Sequence, residues 1–187
     1  MKTRHWMLLT AALLTGCVPM TLFPLYSDET LTFEPLLLGT WTGEDEDERW
    51  TFSAHNPHSY RLVHRDEEGR KGIFEGHLVD LGGELFLDLF PEDRAEDWND
   101  LFTLHLLPVH TFIHVVVTDD ELQLTFMNLD WLRDYLEEHP SALGHKMLAD
   151  DQVLVIASTD ELQAFVIEHL KTEGAFDESE IFQRMDR

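Results

Sequence analysis

Between Leu38 and Met127 the chain is divided into short apolar segments, each closed by turn-forming residues. This pattern limits the fold more than any other feature. Segments at 38–43, 49–54, 59–64, 72–80, 84–90, 101–107, 110–118 and 121–127 are rich in Val, Leu, Phe, Thr or Trp, as strands are. Asn56-Pro57, Glu68-Gly69, Gly82-Gly83 and Asp119-Asp120 separate them as hairpin or loop connections, and Pro91 to Asp100 forms a longer acidic loop. Several segments alternate. Trp50 shares a face with Phe52, Tyr60 with Leu62, and Leu122 with Leu124 and Phe126, while Leu85, Leu87 and Leu89 oppose Phe86, Asp88 and Phe90. A succession of such segments predicts an up-and-down barrel or a sandwich.

After Asn128 the period changes. Leu129, Leu132, Tyr135 and Leu136 fit one face of a helix over about 129–139, which Pro140 ends. Val153 to Ala157 reads as a further strand. Ser158 and Glu161 form a capping box that opens a second helix over about 158–172. Gly174 suits its stop, and the tail from 175 to 187 is expected to be loose. The expected fold class is therefore mainly β (a β-rich α+β chain). It has about eight antiparallel strands, one extra strand and two C-terminal helices in a single domain over 38–174.

The first residues set the compartment. Lys2 and Arg4 precede an apolar run from Trp6 to Leu14, followed by Leu14-Thr15-Gly16-Cys17. This is the layout of a secretory signal. The run is too short to span a bilayer, which takes about 20 apolar residues. Cys directly after Thr-Gly resembles the lipobox of bacterial lipoproteins. The resemblance implies a signal peptide at 1–16 and a lipid anchor of fatty-acyl chains such as palmitate on Cys17. Val18, rather than Asp, beside the modified Cys implies an outer-membrane protein facing the periplasm. Residues 17–37, with Pro19, Pro24 and Pro35, read as a tether whose apolar residues pack against the domain.

Cleavage before Cys17 removes 16 residues from 187 and leaves 171, one domain's worth. Cys17 is the single cysteine, so no internal disulfide is available and stability must come from a core. The net charge is −24, and loss of Lys2 and Arg4 takes the mature chain to about −26. Such a surface repels nucleic acid and excludes it as a partner. The five acids Glu44 to Glu48 read as a solvated loop.

Gly39-Thr40-Trp41 on the first strand, followed by antiparallel strands and a late helix, resembles the lipocalin-like (calycin) superfamily. There the Trp closes the bottom of the barrel and an Arg from the last strand packs over it. The resemblance gives Gly39 and Trp41 the role of barrel closure. The segments expected to come last, 121–127 and 153–157, contain no arginine. A wider pattern also resembles a group of uncharacterised bacterial lipoproteins. It comprises Leu25-Tyr26, Leu38-Gly39-Thr40-Trp41, Leu81-Gly82-Gly83, Phe86-Leu87-Asp88-Leu89, Leu107-Pro108-Val109-His110-Thr111-Phe112 and Thr159 to Phe165.

Signals for catalysis are sparse. His110 and His114 stand four apart, which on a strand is about 13 Å and too far to share one ion. No H-E-x-x-H, G-x-S-x-G or G-x-G-x-x-G pattern occurs. No catalytic residue, metal or cofactor is expected, and His105 and His110 are candidate functional or structural polar residues. The aromatic and apolar inward positions are the remaining candidates. Trp50, Phe52, Tyr60, Leu62, Phe112 and Phe126 would line a pocket if the barrel is hollow. The expected function is non-enzymatic: an anchored protein that binds a small hydrophobic ligand in a lipocalin-like barrel. The alternatives are an assembly lipoprotein that docks a protein complex and a metal-dependent hydrolase.

Overall fold

A computed structural model describes residues 18–43, 47–92 and 106–185. Cys17, His105 and the acids 44–46 lie outside the described residues. Eight antiparallel strands close into a barrel. They are β3 (Gly39–Thr42), β4 (Arg49–Asn56), β5 (Ser59–Arg65), β6 (Lys71–Leu81), β7 (Glu84–Pro91), β8 (Thr111–Val117), β9 (Glu121–Phe126) and β12 (Glu180–Arg184). Seven follow in chain order, and β12 pairs with both β9 and β3 to complete the ring.

That closing strand corrects the expectation of a loose tail over 175–187. Glu180 to Arg184 carries a single inward apolar residue, Phe182, so the segment has little strand signal of its own. Its ladder comes from two waiting edges, since β9 and β3 would otherwise leave unpaired N–H and C=O groups. In the segment expected over 101–107, the described Leu106 and Leu107 are not in a strand.

The alternation sorts side chains inside and out. Trp41, Trp50, Phe52, Tyr60, Leu62, Leu78, Leu87, Leu89, Ile113, Val115, Leu122, Leu124, Phe126 and Phe182 form one buried cluster inside the barrel. Outside, Val79, Phe86 and Phe112 join a second core. Over it pack helices α1 (Leu129–Glu138) and α2 (Thr159–His169), through Leu132, Leu136, Leu162, Phe165 and Val166. Ser158 and Glu161 make the capping box of α2 reciprocally.

Short turns join the strands at one end of the barrel: Pro57-His58, Gly82-Gly83 and 118–120. The long connections lie at the other end, the mouth. Residues 18–38 form a strap from mouth to closed end. Strand β1 (Met20–Thr21) pairs with β11 (Val153–Val155), which is antiparallel to β10 (His145–Met147). Thr21 also exchanges two backbone hydrogen bonds with His110 at the mouth, each 2.9 Å. Strand β2 (Leu31–Thr32) lies on the outside of β6, and a 3-10 turn at Pro35–Leu37 crosses the closed end. No described helix is long and apolar enough to cross a membrane.

Candidate functional site

The closed end is built around Trp41. Its indole Nε1 donates to Leu37 O at 2.9 Å, and the guanidinium carbon of Arg184 lies 4.0 Å from its ring centroid. Arg184 Nη1 donates to Leu38 O at 2.8 Å, Nη2 to Leu36 O at 2.6 Å and Nε to Asp119 O at 2.5 Å. Gly39 is needed here twice over. Its φ of +126° is one that side chains rarely allow, and a Cβ would come within 2.8 Å of Arg184 Nη1. The arginine that segments 121–127 and 153–157 lack is therefore supplied by β12. Tyr60 strengthens this end. Its hydroxyl accepts from Glu34 N at 2.7 Å and donates to Glu34 O at 3.2 Å, and its ring stacks on Phe33 at 4.7 Å. Burial pushes its phenol up to about 12.

The mouth is different. Trp50 packs with Phe52 and Phe182, whose ring centroids lie 6.4 and 5.9 Å away. Trp50 Nε1 donates to Glu48 Oε1 at 3.1 Å, and His64 Nε2 lies 3.3 Å from the same oxygen. Register places Glu180 opposite Leu124, so its carboxyl faces inward beside this pair. The two acids titrate in opposite directions. Burial alone would raise Glu48, but hydrogen bonds from His64 and Trp50 outweigh it and hold the carboxyl below its usual range. Burial raises Glu180, and repulsion from Glu48 and Asp177 raises it further. Half-buried Phe74, adjacent to Gly72, and Phe126 complete an aromatic rim.

Five of the six residues read as pocket-lining do face the interior: Trp50, Phe52, Tyr60, Leu62 and Phe126. Phe112 does not. Leu87 pairs with Ile113, so Ile113 and Val115 point inward and Phe112 points into the outer core. Its strand alternates, but alternation alone does not say which face is inside. Below the rim the interior is occupied. Trp41, Tyr60, Leu62, Leu78, Leu87, Leu122 and Leu124 have no exposure, and a Cβ on Gly76 would come within 3.2 Å of Leu87 Cδ1.

His110 is buried on the outer wall, where its Nδ1 lies 2.7 Å from Asp88 Oδ1. Asp88 has no exposure, and its other oxygen accepts from Leu25 N at 2.7 Å, which pins the strap to the barrel. Tyr26 of the strap stacks on His77 at 4.2 Å. Burial holds the His77 imidazole below its usual range, against the carboxylates Glu75 and Asp88. Among the described residues no group of three His, Cys, Asp or Glu is placed to hold a metal ion.

The sequence reading missed Glu48, His64, Glu180, Asp88 and Arg184. Glu48 belongs to the run expected to be a solvated acidic loop, yet its carboxylate turns into the mouth. The available signal was its position two residues before the inward Trp50. No family model, curated protein or solved structure matches this chain.

Proposed function

We propose that this chain is a lipid-anchored protein of the bacterial cell envelope, lipocalin-like in type, that binds a small hydrophobic molecule in the mouth of its barrel. The observation that carries this reading is the contrast between the two ends. One is sealed by Trp41 and Arg184, and the other leaves Trp50, Phe74 and Phe126 at a rim with Glu48, His64 and Glu180. Apolar walls with a few convergent polar groups suit ligand binding. Because the interior below the rim is filled, the ligand would rest in the mouth and not deep in the barrel. The lipobox-like segment ending at Cys17 supports attachment to the outer membrane, facing the periplasm. An anchored barrel would hold its ligand near the bilayer that the ligand leaves or enters.

The filled interior also favours a second reading, a barrel that works as a scaffold for a protein complex. Titration with the uncharged probe N-phenyl-1-naphthylamine separates the two. Binding should appear as energy transfer from tryptophan, and Phe74→Glu should abolish it. No binding, or binding unchanged in the variant, would overturn the ligand reading. The intact mass of the mature N-terminus tests the anchor: acylated Cys17 is expected, and an unmodified cysteine refutes it.

A further inference from the structure

The outer wall of β3 to β6 carries a row of cations that the mouth does not use. Ladder register sets Arg49 opposite Arg65, and Arg65 opposite Lys71. Side chains directly opposite on a sheet stand about 5 Å apart at Cβ, and like charges placed so are destabilising. The chain has 37 Asp and Glu against 13 Lys and Arg, so acids are abundant enough to separate and neutralise its cations. Yet among the described residues Arg65 and Lys71 form no ion pair. The acids of the adjoining hairpin are already engaged, with Asp66 and Glu68 both held by Arg70.

These cations border an open groove of about 710 Å³ along the wall, within the size range of small-molecule sites. Its lining grades along the barrel axis. Arg49, Arg65 and Lys71 stand towards the mouth, with Asp47 the one acid among the described lining residues. Thr40, Thr51 and Val63 follow one row further along, as their register requires. Half-buried Leu38 and exposed Met185 lie beyond them, towards the closed end. Arg184 also borders the groove, but its guanidinium is committed to three carbonyls.

We propose that this groove binds a single-chain anionic amphiphile, with a phosphate head on Arg65 and Lys71 beside Arg49 and an alkyl chain along Val63, Leu38 and Met185. The cation row supplies charge-assisted hydrogen bonds to phosphate oxygens. The apolar stretch buries the chain, and the surrounding negative charge excludes anions elsewhere on the surface. The site lies on the outer wall, on the opposite face of the strands from the aromatics of the mouth, so either can fail without the other.

The test uses the mature chain from Val18, which contains both cores and every barrel strand, exported behind a signal that has no lipidation site. It is titrated by calorimetry with dodecyl phosphate below its micelle concentration. Saturable binding is expected, weakened about tenfold or more by Arg65→Glu with Lys71→Glu, as loss of charge-assisted contacts does. Both side chains are exposed, and the milder Arg65→Gln with Lys71→Gln serves if the reversal disturbs folding. Phe74→Glu should leave this affinity unchanged. Inorganic phosphate alone and uncharged dodecyl maltoside should each bind far more weakly. The proposal is overturned if the charge variants bind as the parent does, if inorganic phosphate binds as tightly as the amphiphile, or if only Phe74→Glu removes binding.

Discussion

Arg184 lies over Trp41, so the last strand of the barrel is locked to the first by one side chain, with its guanidinium carbon 4.0 Å from the indole centroid. The same side chain holds the carbonyls of Leu36 and Leu38 at the closed end and that of Asp119 in the turn between β8 and β9. It is a joint between three segments distant in sequence, and its planar fork of donors suits that geometry.

Arg184→Ala should therefore cost about 2–4 kcal/mol, combining a cation–π contact with charge-assisted hydrogen bonds. In urea the midpoint should fall with an unchanged slope. Arg184→Lys should recover less than half of the loss, because an ammonium cannot reach all three carbonyls while lying on the ring. A loss below about 0.5 kcal/mol in the alanine variant, the scale of an ordinary surface change, would show that the joint carries no weight.

Phe182 tests the closing strand itself. It is 2% exposed and packs beside Trp50. Phe182→Ala should cost about 3–5 kcal/mol, as other buried Phe truncations do. Removal of residues 178–187 should expose the edges of β3 and β9 and cause aggregation. A truncated chain that stays monomeric and unfolds at the parent temperature would refute closure by β12.

Glu180 gives a pH signature. Its folded carboxyl sits above the ordinary value of 4.5, so the folded state disfavours the ionised form. The resulting penalty is absent below 4.5 and appears as pH rises through the raised folded value. Glu180→Gln should raise the melting temperature at pH 7, and the gain should vanish at about pH 4. Glu48 acts in the opposite sense. Its lowered carboxyl contributes stability above 4.5 that is lost as pH falls through the folded value. A Glu180→Gln variant no more stable than the parent at pH 7 contradicts the half-buried, inward placement of this carboxyl.

His77 should add a pH dependence that begins below pH 6.5. Among the described residues its buried Nδ1 has no hydrogen-bond partner, and burial depresses the imidazole below 6.5. The unfolded chain accepts a proton that the folded state resists. Stability is thus full above 6.5 and declines as pH falls from 6.5 towards the folded value. His77→Phe keeps a ring against Tyr26 and removes the titration. Its melting temperature relative to the parent should rise from pH 7.5 to pH 5, and a constant difference between the two would exclude His77 as the source.

Local pattern was enough for what depends on neighbours in sequence. The strands from Trp50 to Phe126, the capping box of Ser158 and Glu161, and the end of α1 before Pro140 each follow from residue type and period. The inward faces of Trp50–Phe52 and Tyr60–Leu62 were legible for the same reason. The mouth was only half legible. Its aromatics carry a period-2 signal, and Glu48 and Glu180 each stand two residues before an inward aromatic, Trp50 and Phe182, but that spacing does not by itself say that a carboxylate turns into a barrel.

The sequence by itself determined that this chain makes short antiparallel strands followed by two helices, because alternation, turn residues and caps act over a few positions. Tertiary structure alone decided which face of β8 is inside, so that Phe112 went to the outer core. It also decided that residues 180–184 become the closing strand, and that Arg184, Glu180 and Asp88 find Trp41, Glu48 and His110. Those choices depend on edges, faces and burial that exist only once remote segments meet, and no local preference of the chain encodes them.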